Sequence, residues 1–243
     1  MHILFFAMAL VLCMTWEASA ADVRQFGQAA KVIELPYGNK VTITPGKDGA
    51  QVIELPRGRI QYLAIWRQKM IPVCWENPDA TALSYRDLVK SAVLGSWQKE
   101  SQLQFTGWGK CDISSLGIRI MVADAEVGPH VEVLGRYLDG RPAGMVLNFT
   151  FEKWSPFCQS AKEFCIWGIA VHEFGHAIGF AHEQNRSDAP FECQTERVGT
   201  NGDWNLTTYD PDSVMNYCNV KYNNNGILSS RDIQAVRMIY GTP

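Results

Sequence analysis

Three of the five histidines in this 243-residue chain fall inside one short stretch, His172-Glu173-Phe174-Gly175-His176-Ala177-Ile178-Gly179-Phe180-Ala181-His182. It closes an apolar run from Phe164 to Ile178 whose spacing predicts a helix ending at Gly179. Residues four apart share one helical face, about 6 Å apart along the axis, so the imidazoles of His172 and His176 can reach one metal ion. A third ligand further down the same helix would move away from that ion. Gly179 removes the difficulty, because glycine adopts the left-handed conformation that ends a helix and turns the chain back. His182 is then the expected third ligand. Three neutral nitrogens on Zn2+ leave a fourth position for water. Glu173, one position past a ligand, projects beside the metal and is placed as the general base for that water. The expected chemistry is attack of the activated water on a carbonyl, with no covalent intermediate on the protein.

The remaining features bound the setting. Composition is that of an ordinary globular protein, 47% hydrophobic and 19% charged, and the net charge of -3 comes without a run of Lys or Arg. Nucleic acid is therefore not an expected partner. An apolar segment from Ile3 to Met14 precedes Ala18-Ser19-Ala20, a small-x-small pattern that predicts a secretory signal over 1–20, cut after Ala20. The segment is too short to span a bilayer, which takes about 20 residues, so no stable membrane anchor is expected. Cys13 would leave with the signal. The six that stay, Cys74, Cys111, Cys158, Cys165, Cys193 and Cys218, contain no C-x-x-C pair and fit disulfides better than a structural zinc site. Fifteen pairings are possible, and Cys74–Cys111, Cys158–Cys165 and Cys193–Cys218 join segments expected to be close. The compartment is extracellular or periplasmic.

Residues 21–60 carry two copies of one pentapeptide, Val32-Ile33-Glu34-Leu35-Pro36 and Val52-Ile53-Glu54-Leu55-Pro56, each followed one residue later by glycine. They read as short strands with turns, in a segment that is a pro-segment or a cap. The catalytic domain is expected over 61–243. Its elements are a strand at 70–75, a helix at 84–100 with Ser84 as N-cap, and strands at 117–123, 131–137 and 145–151. The long apolar helix follows, then a loop-rich stretch over 183–228, and last a helix over 230–240 capped by Ser230 and stopped by Gly241. The fold class is α+β, with a mixed twisted sheet. His130, near Gly128-Pro129, reads as a surface loop residue.

The long histidine motif resembles that of the metzincin metallopeptidases. Gly179-Phe180-Ala181-His182-Glu183-Gln184-Asn185-Arg186-Ser187-Asp188 is similar to the astacin family's Gly-Phe-x-His-Glu-Gln-x-Arg-x-Asp, and Ser213-Val214-Met215-Asn216-Tyr217 looks like its Met-turn. The resemblance spans about residues 66–241. It implies a zinc endopeptidase acting on protein or peptide substrates, expected to be a monomer. It implies that Met215 underlies the metal, that Tyr217 donates to the transition-state oxyanion, and that Glu183 meets the amino terminus of the mature chain. Asn216 stands where astacins usually have His, which points to a divergent, microbial branch. No Phe-x-Gly-Asp, by which astacin pro-segments block the zinc, occurs; Asp48 in Gly46-Lys47-Asp48-Gly49 is the carboxylate best placed for that task. Two alternatives stay open. A matrixin-like peptidase is disfavoured by Glu183 and Tyr217, and a zinc-bearing but inactive binding protein by the presence of Glu173.

Overall fold

The computed structural model describes residues 31–34, 40–45, 51–52, 59–78, 83–195 and 197–243. The signal segment, Asp48 and much of the two pentapeptide copies lie outside the described residues. Before the catalytic region, β1 (Lys31–Glu34), β2 (Lys40–Pro45) and β3 (Gln51–Val52) form an antiparallel sheet in that order. β4 (Arg59–Ile60) then enters the main body.

The main sheet takes β5 (Met70–Trp75), β6 (Gln104–Lys110), β7 (Ile118–Val122), β8 (His130–Val131) and β9 (Met145–Leu147), in the order β6-β5-β7-β9-β8. All its pairings are parallel except the edge pair β8–β9. The helix α1 (Leu83–Val93) connects β5 to β6 and runs on as a wider π-turn over Leu94–Gln98. Two short helices, α2 (Pro156–Ser160) and later α4 (Phe191–Gln194), flank the central α3 (Lys162–Ala177), and α5 (Ser230–Tyr240) closes the fold. A last short strand, β10 (Trp204–Asn205), pairs with β4.

The strands at 70–75 and 118–122 fall where the alternation of the sequence puts them. Two others do not. The expected strand at 131–137 shrinks to the His130–Val131 edge, because Gly135–Leu138 winds into a 3-10 turn. β6, at Gln104–Lys110, has no regular alternation in sequence; a bulge opposite Val73 and Cys74, with positive φ at Gly107 and Trp108, breaks the period. The bulge turns Trp108 inward, where its ring stacks on Phe174 of α3 at 5.7 Å. Ser84 lies within α1 and is not its cap, and α5 is capped by Ser229.

α3 is apolar on every side because every side is covered: its residues from Ile169 to Ala177 are all buried. Phe105 meets Phe174 edge-on at 5.3 Å, and Trp97 stacks on Phe180 at 5.2 Å. Carbonyls at the end of a helix have no intrahelical partner. Here Trp66 Nε1 donates to Ala177 O at 2.7 Å and the Tyr240 hydroxyl to Ile178 O at 2.6 Å. Three disulfides, Cys74–Cys111, Cys158–Cys165 and Cys193–Cys218, join the pairs expected from sequence. Among the described residues no helix is long and apolar enough to cross a membrane.

Candidate metal centre

α3 presents His172 and His176 one turn apart and stops where the chain must turn. Gly179 has φ +103°, a backbone that a side chain would strain, and its N–H still bonds to His176 O at 2.9 Å. The reversed chain brings His182 back, so that one ring nitrogen from each of His172, His176 and His182 lies within 4.8 Å of the others. All three rings are buried.

Backbone carbonyls fix which nitrogen of each ring is free. His172 Nδ1 faces Val214 O at 2.8 Å, His176 Nδ1 faces Phe180 O at 2.7 Å, and His182 Nδ1 faces Val198 O at 2.9 Å. A carbonyl only accepts, so each Nδ1 carries the proton and each Nε2 keeps its lone pair. Burial, reinforced by mutual repulsion, pushes His172 down to about 3 and His176 well below its ordinary value; burial also lowers His182. The rings are therefore neutral. His182 Nε2 lies 3.2 Å from His172 Nε2 and 3.0 Å from His176 Nε2, lone pair towards lone pair with no proton between them. Such an arrangement is repulsive unless a cation sits among the three. Tetrahedral ligands on zinc, at about 2.0–2.1 Å each, stand about 3.3 Å apart. The donor set thus fits zinc in type, protonation and spacing.

Glu173 lies at this point with 4% of its surface exposed, and its Oε2 has no hydrogen-bond partner. Burial pushes its carboxyl up to about 8. An unpaired buried carboxylate is costly, and it is tolerated where a proton or a cation comes to it. Tyr217 stacks on His172, with ring centroids 5.0 Å apart and planes 13° apart, and its centroid is 4.5 Å from that of His182. Burial and the Glu173 charge raise its phenol, which stays protonated and able to donate. Met215 packs under α3 against Gly175, where a Cβ would collide with its thioether. Glu183 is buried against Arg186 at 3.4 Å and accepts from the Asp210 N–H at 2.9 Å. Asn216, fully buried, donates to the Tyr209 hydroxyl at 2.8 Å and accepts from the Cys218 N–H, a structural role for the side chain that replaces the expected His. His130 is not a loop residue: it belongs to edge strand β8 and lines the cleft beside Glu173 and Tyr217.

The sequence reading missed what holds these groups. Asp232 accepts from Ser213 Oγ at 2.7 Å and from the N–H groups of Val214 and Ser229 at 2.9 Å each. The same Asp232 closes the capping box of α5, so the cap and the turn bearing Val214 O are one assembly. The signal was present as Ser229-x-x-Asp232.

The sequence profile of the astacin peptidase family matches residues 160–237, from the end of α2 into α5. Over this span the chain is similar to the astacin peptidases. The matched span contains all three histidines, Glu173 and Tyr217. The structure of myroilysin resembles the fold with a TM-score of 0.53 at 18% identity, covering 76% of this chain and all of that one. A hatching enzyme zinc-protease from the medaka Oryzias latipes aligns at 19% identity with a TM-score of 0.49, over 74% of this chain and 96% of that one. In sequence the chain is similar to interstitial collagenase from Bos taurus, 25% identical over 196 residues, which is 74% of this chain but only 40% of the collagenase.

Proposed function

We propose that this chain is a secreted zinc endopeptidase in which His172, His176 and His182 hold the metal, Glu173 is the general base and Tyr217 is the oxyanion donor. The observation that carries the reading is the set of three proton-free Nε2 atoms turned towards one another beside a buried, unpartnered carboxylate. Bound there, zinc supplies Lewis acidity that polarises a substrate carbonyl and acidifies a water.

The residues do the rest. Val214, Phe180 and Val198 fix the imidazole tautomers through their carbonyls, so no ring has to reorient. Glu173 Oε2, without a competing donor, accepts the proton of the attacking water and returns it to the leaving amine. The raised phenol of Tyr217 keeps its proton and offers it in a hydrogen bond to the oxygen on which charge develops. The cleft before these groups, about 250 Å³, is walled on its far side by the edge-strand segment 129–134. Three disulfides fit an extracellular or periplasmic setting. Residues 1–20 are read as the signal and 21–60 as a pro-segment or cap.

The deciding experiment measures zinc and peptide cleavage in the purified protein, before and after chelation. One zinc per chain, with cleavage lost on chelation and regained with zinc, is the expected result. Stoichiometric zinc without cleavage of any peptide would leave the inactive binding protein as the reading.

A further inference from the structure

A second cavity, about 560 Å³, opens beside the metal centre and shares Glu173 and Tyr217 with the cleft. Its walls come from five separate parts of the chain, at 127–130, 154, 169–173, 198 and 217–223. Ile169 forms the inner wall, one turn before His172 and 4% exposed. Tyr222 forms the second. It leads into Asn223, Asn224 and Asn225, all with φ between 43° and 56°, a left-handed turn that asparagine tolerates better than other side-chain-bearing residues. This turn lays Tyr222 and Asn223 on Gly168 of α3. Phe157 and Phe164 hold the Tyr222 ring from outside, at 6.2 and 6.3 Å. Trp154 and Val127 complete the cavity: Gly128, at φ +73°, has no Cβ, and the Trp154 indole occupies the space where one would stand.

These walls are mainly aliphatic and aromatic, with His130, Asn219 and Asn223 as neutral polar members beside Glu173. Among the described lining residues there is no Lys, Arg or Asp, and the one carboxylate is Glu173 at the catalytic end. An acidic side chain entering would meet no counter-charge, and it would be repelled by Glu173. A basic one would leave water among Ile169, Trp154 and Tyr222. Both lose hydration with no charged partner of opposite sign on the aliphatic and aromatic walls, whereas a Phe or Leu side chain gains by leaving water.

We infer that this cavity selects a large apolar side chain next to the scissile bond, with Trp154, Ile169 and Tyr222 as the residues that set the preference. The inference rests on the peptidase reading and names its substrate class.

The test uses the zinc-loaded full chain and peptides of one scaffold in which each flank of the cleaved bond is Phe, Leu, Gly, Asp or Lys. At one flank, Phe and Leu should exceed Asp and Lys by about 10-fold or more in kcat/KM. Val127 is 76% exposed, so Val127→Lys puts a cation at the mouth with little risk to folding; it should raise the Asp-to-Phe ratio several-fold. Trp154→Ala should flatten the preference at unchanged zinc content. The same peptides bound to Glu173→Gln, read by calorimetry, give a measure independent of turnover. Cleavage with Gly, Asp or Lys preferred would overturn the inference and leave the peptidase reading. Apolar preference in binding with no turnover by the wild type would uphold the cavity's selectivity and overturn the peptidase reading.

Discussion

Tyr217 and Glu173 line the same cleft, and their substitutions separate binding from chemistry. Tyr217→Phe keeps the ring that stacks on His172 and removes only the hydroxyl. A donor used in the transition state then disappears, and kcat should fall about 10- to 1,000-fold with KM little changed. If zinc affinity fell in step instead, the residue would be structural. Glu173→Gln preserves shape but replaces the unpartnered Oε2 as an acceptor. Zinc content should stay at one per chain while turnover drops about 100-fold or more, as for loss of a general base; turnover near wild type would assign the base elsewhere. His176→Ala removes one of three converging nitrogens, and the metal should be lost on dialysis. Retention of stoichiometric zinc by that variant would refute the ligand set. The convergence of the three histidines was legible in the sequence because the helical period and one glycine fix it, whereas Tyr217 came only from the resemblance of its turn to that of the astacins. The carbonyls that set the histidine tautomers were not legible, since any residue type supplies a carbonyl and only the fold says which one arrives.

The joint between α5 and the Met215 turn is the element on which His172 depends. Ser229 Oγ accepts from the N–H groups of Arg231 and Asp232, while Asp232 reaches across to Ser213 and Val214. Ser230, which the hydrophobic spacing nominates as the cap, is exposed and already helical. Ser229→Ala should cost about 0.5–2 kcal/mol, read from thermal or denaturant unfolding. Ser230→Ala should stay within about 0.5 kcal/mol, and equal losses in the two would contradict the cap assignment. Asp232→Asn puts an amide where one carboxylate oxygen accepts from the Ser213 hydroxyl or from two backbone N–H groups. It should destabilise by about 1–3 kcal/mol and weaken zinc retention, because Val214 O then holds the His172 proton less firmly. Unchanged zinc affinity at lowered stability would limit Asp232 to the cap. The positions of α3 and α5 could be read from apolar spacing, which long helices carry through several turns. β6 could not, because its bulge interrupts the alternation, and neither could the left-handed Asn223–Asn225 turn, where polar composition marks only a loop.

At the scale of the molecule, the boundary of the catalytic body is set by what packs into it. The repeat and the lack of cysteine over 21–60 put the expected boundary near residue 60, and Ile60 to Trp66 pack into the main body. Ile60 is fully buried and bridges to Phe180, the Gln61 N–H bonds to Gly179 O at 3.0 Å, and the Tyr62 N–H bonds to Asp203 at 2.9 Å. Ala64, Ile65 and Trp66 follow into the core, with Trp66 bound to the end of α3. This stretch therefore braces the very turn at Gly179 that delivers His182. Its loss removes several large buried side chains at about 2–5 kcal/mol each, against a total stability of about 5–15 kcal/mol. A chain beginning at Arg67 should not fold cooperatively, whereas one beginning at Arg57 should fold and hold zinc. If the N-terminal segment is removed on activation, the cut should fall before Ile60, and the basic residues Arg57 and Arg59 put it at that edge. Amino-terminal sequencing of the active secreted protein should then start close to Arg57–Arg59. An active form that starts at Ala21 would place the whole N-terminal segment in the mature protein and end its reading as a pro-segment. Full activity in a chain starting at Arg67 would instead show that the bracing of Gly179 by Ile60 and Gln61 is dispensable.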